Sequence, residues 1–193
     1  MATGNQGKLA EIREILKDTG WDIVPQSEFG FVPAAETGTT FLENAILKAR
    51  HAAEETGLIA IADDSGLCVD AIDGQPGVYT ARFAGAGASD ADNIDKLLAM
   101  LEDVDDKQRG ASFECTTVAV LPDAEPLIGT GTWRGQISRA RKGDGGFGYD
   151  PVFFDPELQK CAAEMTAEEK NSRSHRGQAF RQLAQMLRAE LSQ

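Results

Sequence analysis

The stretch from Ile59 to Asp70, IAIADDSGLCVD, places two neighbouring carboxylates between two apolar segments of strand length. The segments LIAIAD and SGLCVDAI each fit a short strand, and DDSG between them has turn chemistry, which predicts two strands joined at a turn. Like charges at neighbouring positions repel, and they persist without strain only if solvent or a shared cation compensates them. Asp63 and Asp64 therefore predict either a solvated turn, in which they cap backbone amides, or a metal site at a strand end.

Length and composition indicate a globular chain with its own core. Its 193 residues, 41% of them hydrophobic, suit one domain or one domain with a small lobe. The longest uncharged apolar run, LIAIA, is far too short to span a membrane, and MATGNQGK at the start shows no secretory signal. Cys68, Cys115 and Cys161 lie too far apart for a CxxC motif and are expected to be reduced. These features favour a cytoplasmic protein.

The net charge of −12 opposes non-specific binding of nucleic acid. An anionic ligand must therefore meet a local cluster of cations. Neither nucleic acid nor a membrane is an expected partner.

Helix signals are clear at several points. Apolar spacing predicts a helix from about residue 7, and Thr40 and Glu43 form a capping-box pattern that opens a second helix, which Gly57 closes. Ser89, or Asp90 beside it, can cap a third helix. A capping-box spacing recurs at 166–169, ahead of a last amphipathic helix at roughly 174–191.

The strand candidates are SFECTTVAVL and LIGTGTWRG, joined by the turn PDAEP, and then PVFFD. Several strands adjoin without a helix between them. This pattern favours an α/β fold with a mixed sheet flanked by helices over a purely parallel sheet.

Two sequence features could meet phosphate and metal. The stretch from Thr3 to Lys8 precedes a helix, where exposed amides, the helix dipole and a lysine suit a phosphate, although an Asn and Gly turn that caps a surface helix explains it equally simply. Glu36 and Glu43 could join the Asp63–Asp64 pair to hold Mg²⁺, a hard cation that takes oxygen ligands.

Two further features could meet a nucleobase. In the stretch 145–151, GGFGYDP, an aromatic face can stack on a base while backbone amides and Asp150 read its edge, or the segment is a glycine-rich hairpin with core aromatics. The cationic stretch from Lys170 to Gly177 could meet anionic oxygens or a carbonyl group. It is also compatible with an ordinary polar helix start.

Six stretches, taken in this order and spacing, resemble the inosine triphosphate pyrophosphatase family from residue 2 to about residue 190: TGNQGK, ETGTTFLENAILKA, ADDSGL, PGVYTARFAG, GGFGYDP and EEKNSRSHRG. The resemblance implies the Maf/Ham fold, an α/β fold with a mixed central sheet, flanking helices and a smaller lobe. It implies a single domain over 1–193 with the active site in a cleft between two lobes. It also implies hydrolysis of dITP, ITP and XTP to the monophosphate and pyrophosphate, which cleanses the nucleotide pool, with Mg²⁺ and in a homodimer.

The resemblance also implies residue roles. Asp64 matches a general base that helps to hold the metal, Glu36 matches an acid that approaches Mg²⁺, and Asp63 is the supporting neighbour. The residues that match substrate contacts are Thr3, Gly4, Asn5, Gln6, Gly7, Lys8, Lys48, Ser65, Phe147, Gly148, Tyr149, Asp150, Lys170, His175 and Arg176.

The chemistry of the reaction agrees with these roles. Water that attacks the α-phosphorus must lose a proton, and pyrophosphate leaves with extra negative charge, so a base and cations are needed. We expect Asp64 to accept the proton and Lys8, Lys48 and Mg²⁺ to neutralise the triphosphate. Donors that face the 6-keto oxygen of hypoxanthine or xanthine would reject adenine, and we expect His175, Arg176 or nearby backbone amides to supply them.

The N-terminus departs from the family pattern. Members of the family have a strand ahead of ATGN, whereas here only Met1 and Ala2 precede Thr3. We expect either an upstream start or a stub of that strand, with a loosely anchored phosphate loop. The alternative functions are a Maf-like pyrophosphatase for other modified nucleotides, against which GGFGYDP and SHRG stand, and a nucleotide-binding regulatory module without turnover.

Overall fold

The protein is represented by a computed structural model that describes residues 1–122 and 124–192. Within these residues the helices are α1 (Gln6–Leu16), α2 (Phe41–Thr56), α3 (Asp90–Met100), α4 (Ala167–Arg173) and α5 (His175–Leu191). The strands are β1 (Ala60–Val69), β2 (Gly110–Val120), β3 (Leu127–Ile137), β4 (Phe153–Asp155) and β5 (Lys160–Cys161). The predicted α/β class is confirmed.

The five described strands form one sheet in the order β1-β2-β3-β4-β5, so neighbours in the sheet also follow one another in the chain. The β3–β4 and β4–β5 pairs are antiparallel, whereas the sequence favoured a mixture of parallel and antiparallel pairs. Antiparallel strands can be joined by a short connection, as β4 and β5 are by residues 156–159. The predicted turn PDAEP includes Asp123, which lies outside the described residues.

Helix α2 begins and ends where the sequence predicts. Thr40 is its N-cap, with its hydroxyl accepting from the Glu43 amide while the Glu43 carboxylate accepts from the Thr40 amide, both at 3.1 Å. Gly57 ends it with a φ of 67°, a left-handed conformation that glycine adopts without a Cβ penalty. Helix α3 has the same capping box, with Ser89 as its N-cap and Asp92 as its third residue.

The predicted turn at DDSG is wrong. Residues 63–66 lie inside the continuous strand β1, whose residues are almost all buried. Asp63 and Asp64 are only 1% and 7% exposed, which also excludes the solvated-turn alternative. Local turn chemistry is overruled here by contacts with distant parts of the chain, which the next subsection describes.

The chain divides into two compact units. The first unit comprises the described residues of Met1–Asp64, Cys115–Gly131 and Ser174–Gln193, and the second comprises Ser65–Glu114 and Thr132–Arg173. The sequence predicted one domain with a smaller lobe, and these units have separate hydrophobic clusters.

Two clusters fill the first unit. In one, Ile12 and Leu16 of α1 pack with Phe180, Leu183 and Leu187 of α5. The other is built from small residues and joins α2 to β1, and it consists of Ala2, Ala45, Ala49, Ala52, Ala60, Ala62 and Val118. Because alanine side chains are short, the α2 backbone approaches β1 closely, which brings polar α2 side chains within reach of that strand.

The second unit has an aromatic centre. The rings of Phe113, Trp133 and Phe153 pack together, with the Phe113–Phe153 centroids 4.5 Å apart and the Trp133–Phe153 centroids 4.8 Å apart. The indole nitrogen of Trp133 donates to Asp155 Oδ2 at 2.9 Å, so its polar atom is paired inside the core.

The segment ahead of Thr3 is held on two sides. The Ala2 amide donates to Ile61 O of β1 at 2.8 Å, and the Gln26 amide donates to Met1 O at 3.0 Å. The backbone of Ala2 is therefore hydrogen-bonded to β1, and that of Met1 to Gln26. The expected upstream start or strand stub, and the expected loose anchoring of the following loop, stay predictions.

All three cysteines are free thiols, with Cys115 and Cys161 buried and Cys68 partly buried, as predicted. Among the helices that the structure describes, none has the length and apolar character needed to cross a bilayer.

A buried arginine ties the second unit together. The Arg109 guanidinium donates to the carbonyl oxygens of Leu101 at 2.5 Å, Ile137 at 2.8 Å and Ser138 at 3.2 Å. Leu101 is the C-cap of α3, where a cation also compensates the negative end of the helix dipole.

We expect Arg109→Met to lower the free energy of unfolding by about 3 kcal/mol, because two buried carbonyls and a partly buried one lose a charged donor. Arg134→Met is the matched control, since Arg134 is 61% exposed in its ion pair with Asp70 and should cost less than about 1 kcal/mol. Urea denaturation followed by circular dichroism measures both. Equal losses in the two variants would contradict the bracing role of Arg109.

Candidate active site

Each of the two neighbouring aspartates has its own cation. Lys8 of α1 places its Nζ 2.9 Å from Asp63 Oδ2, and Lys48 of α2 places its Nζ 3.1 Å from Asp64 Oδ1. Successive side chains of a strand point to opposite faces, so β1 separates the two carboxylates and lets each meet a different helix. The repulsion that the sequence raised is therefore compensated by two lysines within the chain itself.

Asp63 belongs to a buried ion-pair network. Arg176 at the start of α5 lies 3.7 Å from Asp63 through its Nε and 2.5 Å from Glu11 of α1 through Nη1. Burial by itself would raise the pKa of Asp63, but the charges of Lys8 and Arg176 lower it to about 2. Asp63 is therefore a fixed anion that binds α1 and α5 to the strand.

Asp64 has a different environment. Its Oδ1 accepts from Lys48, and its Oδ2 accepts from Asn44 Nδ2 at 3.2 Å. Burial raises the pKa of Asp64 above its ordinary value, and the opposing charges of Lys48 and Lys8 do not cancel that effect. Asp64 is consequently the more basic carboxylate of the pair, as a proton acceptor should be.

Lys48 joins Asp64 to Glu36. Its Nζ lies 2.8 Å from Glu36 Oε1 as well as 3.1 Å from Asp64 Oδ1, so both carboxylates reach a single cation. Burial opposes the charge on Lys48, but Asp64, Asp63 and Glu36 together raise its pKa. The ammonium is thus held as a cation between the acids.

The carboxylate oxygens around Lys48 are suitable ligands for a hard cation. Glu36 and Asp64 offer carboxylate oxygens, and Mg²⁺ commonly uses one or two carboxylates together with substrate phosphates and water. Within the described part of the chain, no group of three or more His, Cys, Asp or Glu residues could hold a metal. Glu43, considered as a further acid, instead caps α2 through Thr39 and Thr40. The residues present therefore fit a metal that arrives with its own phosphate ligands.

The start of α1 offers a site for an anion. Asn5 is the N-cap and accepts from the Lys8 amide at 3.0 Å. The predicted role of this stretch as a helix cap is therefore confirmed. None of the first-turn residues of α1, all of which are described, is acidic, whereas α2, α3 and α4 each have acids there. The positive end of this helix therefore has no acid of its own first turn to neutralise it, which favours a bound phosphate.

The second unit contains the glycine-rich loop. Asp150 accepts from the Phe147 amide at 2.9 Å and forms a short ion pair with Lys170, whose Nζ also lies 4.9 Å from the Phe147 ring centroid. Gly146 has a φ of 70°, and a Cβ there would lie 2.0 Å from Asp150 Oδ2. Asp150 therefore shapes the loop, and Phe147, which is partly exposed, presents its ring.

The other predicted residues of this loop have structural contacts as well. Tyr149 is buried in the core and donates its hydroxyl to Thr80 O at 2.9 Å, while the Gly148 amide donates to Asp90 Oδ2 at 2.7 Å. Ser65, on β1, is 7% exposed.

The structure thus brings most predicted site residues together within each unit. The first unit holds the stretch from Thr3 to Lys8 together with Glu36, Lys48, Asp63 and Asp64. It also holds His175 and Arg176, both of which are buried. The second unit holds Ser65, Phe147, Gly148, Tyr149, Asp150 and Lys170.

Sequence reasoning missed Glu11, Asn44 and Asp90. Glu11 looked like an ordinary surface acid, and Asp90 was considered only as a possible cap of α3. No local signal indicates the partner of either residue. Asn44 had one usable signal, because a large amide side chain directly after a capping box and on the alanine side of α2 must be buried against something polar.

The chain is similar to known proteins over nearly its whole length. The model of the Ham1 family matches residues 1–186. The chain is 58% identical to the "dITP/XTP pyrophosphatase" of Pectobacterium atrosepticum over 190 residues, covering 97% of this chain and 96% of that protein. The solved structure of a HAM1 protein from Coxiella burnetii is 49% identical with a TM-score of 0.88, covering 97% and 96% of the two chains. A "Nucleoside-triphosphatase / dITP/XTP pyrophosphatase" structure from Mycobacterium abscessus is 42% identical with a TM-score of 0.76, covering 96% and 97%.

The ion pairs of Asp63 predict how stability depends on pH. Its pKa is about 2 in the folded chain and has an ordinary value of 3.8, so ionised Asp63 stabilises the fold above about pH 4. As the pH falls from about 5 to about 2, that contribution of about 2 kcal/mol is lost. Asp63→Asn should lower stability at neutral pH and remove this part of the slope in urea denaturation.

Asp106→Asn, at a carboxylate that is 77% exposed, is the control and should keep the wild-type slope. An Asp63→Asn protein that still loses stability in parallel with the wild type over this pH range would disprove the assignment.

Proposed function

The chain belongs to the Ham1 family, and from this premise we propose that it hydrolyses dITP, ITP and XTP to the nucleoside monophosphate and pyrophosphate. Such an activity removes aberrant purine nucleotides before a polymerase incorporates them into DNA or RNA. The observation that carries the proposal is the convergence of Glu36 and Asp64 on the Lys48 ammonium. It provides a basic carboxylate, a second acid and a cation at one point.

In the proposed reaction, Asp64 accepts the proton of the water that attacks the α-phosphorus. The pKa of Asp64 is raised by burial, whereas that of its neighbour Asp63 is lowered, so the two carboxylates divide into a base and a structural anion. Lys48 holds Asp64 in place through Oδ1 and carries positive charge beside the phosphates. The amides at the start of α1 and Lys8 receive the remaining phosphate oxygens.

We propose Mg²⁺ as the metal, held by Glu36 and Asp64. When bound, it supplies charge neutralisation for the triphosphate and lowers the pKa of a coordinated water. Both carboxylates already accept hydrogen bonds from one cation, Lys48, which supports this choice of ligands.

We propose base contacts for the loop that carries Phe147 and for residues at the start of α5. Phe147 offers a partly exposed ring for stacking, and Lys170 lies next to it as a donor. Donors that face the 6-keto oxygen would leave the adenine amino group without an acceptor. His175 and backbone amides remain the proposed donors, together with Arg176, whose guanidinium already pairs with Glu11.

We also propose that the protein acts in the cytoplasm and as a homodimer. Three free thiols are typical of a reducing compartment. The homodimer is supported by the family resemblance.

A substrate panel tests the proposed specificity. We expect pyrophosphate release from dITP, ITP and XTP with Mg²⁺, with dATP slower by about 10² to 10⁴ because a buried donor would face its amino group. EDTA should abolish turnover. Equal rates on dITP, dATP, dGTP and m⁵UTP would contradict the specificity, and a preference for m⁵UTP would favour a Maf-like enzyme.

Asp64→Asn tests the chemical step. We expect turnover of dITP to fall about 10³-fold, because the amide cannot accept the proton of water, while nucleotide binding measured by calorimetry survives. Asp70→Asn, at an exposed carboxylate, is the control and should keep full activity. A wild-type protein that binds ITP but never hydrolyses it with Mg²⁺ would instead be a regulatory module.

A further inference from the structure

Asn44 is buried next to the proposed base and uses both ends of its amide. It is 2% exposed. Its Nδ2 donates to Asp64 Oδ2 at 3.2 Å, and its Oδ1 accepts from the Gly38 amide at 2.8 Å. One side chain therefore links the strand that carries Asp64 to the segment that precedes α2.

That segment also carries Glu36. Two residues at the start of α2 bind two successive amides of this segment. Asn44 accepts from the Gly38 amide, and Glu43 accepts from the Thr39 amide at 2.7 Å. A Cβ on Gly38 would lie 2.7 Å from Asn44 Oδ1, so only glycine lets the backbone come this close. The position of Glu36 thus depends on the same side chain, that of Asn44, which holds Asp64.

We propose that Asn44 is a positioning residue that fixes the two metal-binding carboxylates, Asp64 directly and Glu36 through Gly38. The proposal rests on the proposed function, because it concerns the same site. Asn44 itself touches neither substrate nor metal in this account.

The chemistry of an amide explains why asparagine serves here. It donates at one end and accepts at the other, whereas a carboxylate of the same shape can only accept. It also holds Asp64 Oδ2 without adding charge, while Lys48 holds Oδ1. Partners that orient a metal ligand in this way typically contribute about 10- to 100-fold to metal affinity or activity.

The second unit contains a natural control. Helix α3 also begins with a capping box followed by asparagine, and Asn93 is likewise 2% exposed. Its Oδ1 accepts from the Ala84 amide at 2.8 Å, and its Nδ2 donates to Ala81 O at 3.3 Å. Asn93 braces a loop as Asn44 does, but among the described residues its side-chain partners are a backbone amide and a backbone carbonyl.

The first comparison uses Asn44→Leu and Asn93→Leu in the full-length protein. Both lose a buried donor and acceptor, so both should be destabilised to a similar degree in urea denaturation. For dITP hydrolysis we expect kcat of Asn44→Leu to fall about 10- to 100-fold and its KM to rise, because Mg²⁺-dependent binding weakens as well, while Asn93→Leu keeps both within about twofold. Equal effects of the two variants on kcat would overturn the proposal.

The second comparison separates the two contacts of Asn44. Asn44→Asp can still accept from the Gly38 amide but cannot donate to Asp64, and Asn93→Asp is its matched control. We expect kcat of Asn44→Asp to stay as low as that of Asn44→Leu. Near wild-type kcat in Asn44→Asp would overturn the direct role on Asp64, and this variant also serves if Asn44→Leu does not fold.

A binding measurement needs no turnover. Mg²⁺-dependent binding of a non-hydrolysable inosine triphosphate analogue, measured by calorimetry, should weaken about 10-fold or more in Asn44→Leu and stay unchanged in Asn93→Leu. If the wild-type protein binds the analogue but does not hydrolyse dITP, the proposed function fails while this readout still decides the role of Asn44. Unchanged Mg²⁺-dependent binding in Asn44→Leu would overturn that role.

Discussion

The site in the first unit depends on a single strand that keeps two neighbouring carboxylates apart. In the extended backbone of β1, Asp63 and Asp64 point to opposite faces, and each meets a lysine from a different helix. A turn at the same place would expose both acids to water and leave Lys8 and Lys48 without these partners. The site therefore depends on the packing of both helices against β1. Small residues place α2 beside Ala60 and Ala62, and Ile12 and Leu16 place α1 in a cluster with Ile61.

The same arrangement gives two identical side chains different properties. Asp63 faces Lys8 and Arg176, and these charges lower its pKa although burial opposes them. Asp64 faces one lysine and a neutral amide, and burial raises its pKa. One carboxylate is therefore fixed as an anion for stability, and the other is left basic enough to take a proton.

Sequence reasoning predicted what local chemistry decides and failed where distant contacts decide. The capping box at Thr40 and the αL residue Gly57 were predictable, because each signal lies within one turn of the helix end it sets, and the last helix was predictable from its apolar periodicity. The turn at DDSG was wrong, because Lys8 and Arg176 lie far from Asp63 in the chain. The sequence carried a signal for the burial of Asn44 but none for its partner Asp64, which follows twenty residues later.

The charge of the cluster favours a substrate that brings cations with it. Its described ion pairs join the three cations Lys8, Lys48 and Arg176 to four carboxylates, which are Glu11, Glu36, Asp63 and Asp64. The cluster therefore carries a formal excess of one negative charge, in a chain whose net charge is already −12. A bare triphosphate would be repelled by such a site, and the amides of α1 supply only partial charges. A triphosphate that arrives with a divalent cation would meet less repulsion, because the cation would compensate the carboxylates and leave the lysines to face phosphate. We therefore propose that the acids of this cluster favour a metal complex of the nucleotide as the ligand.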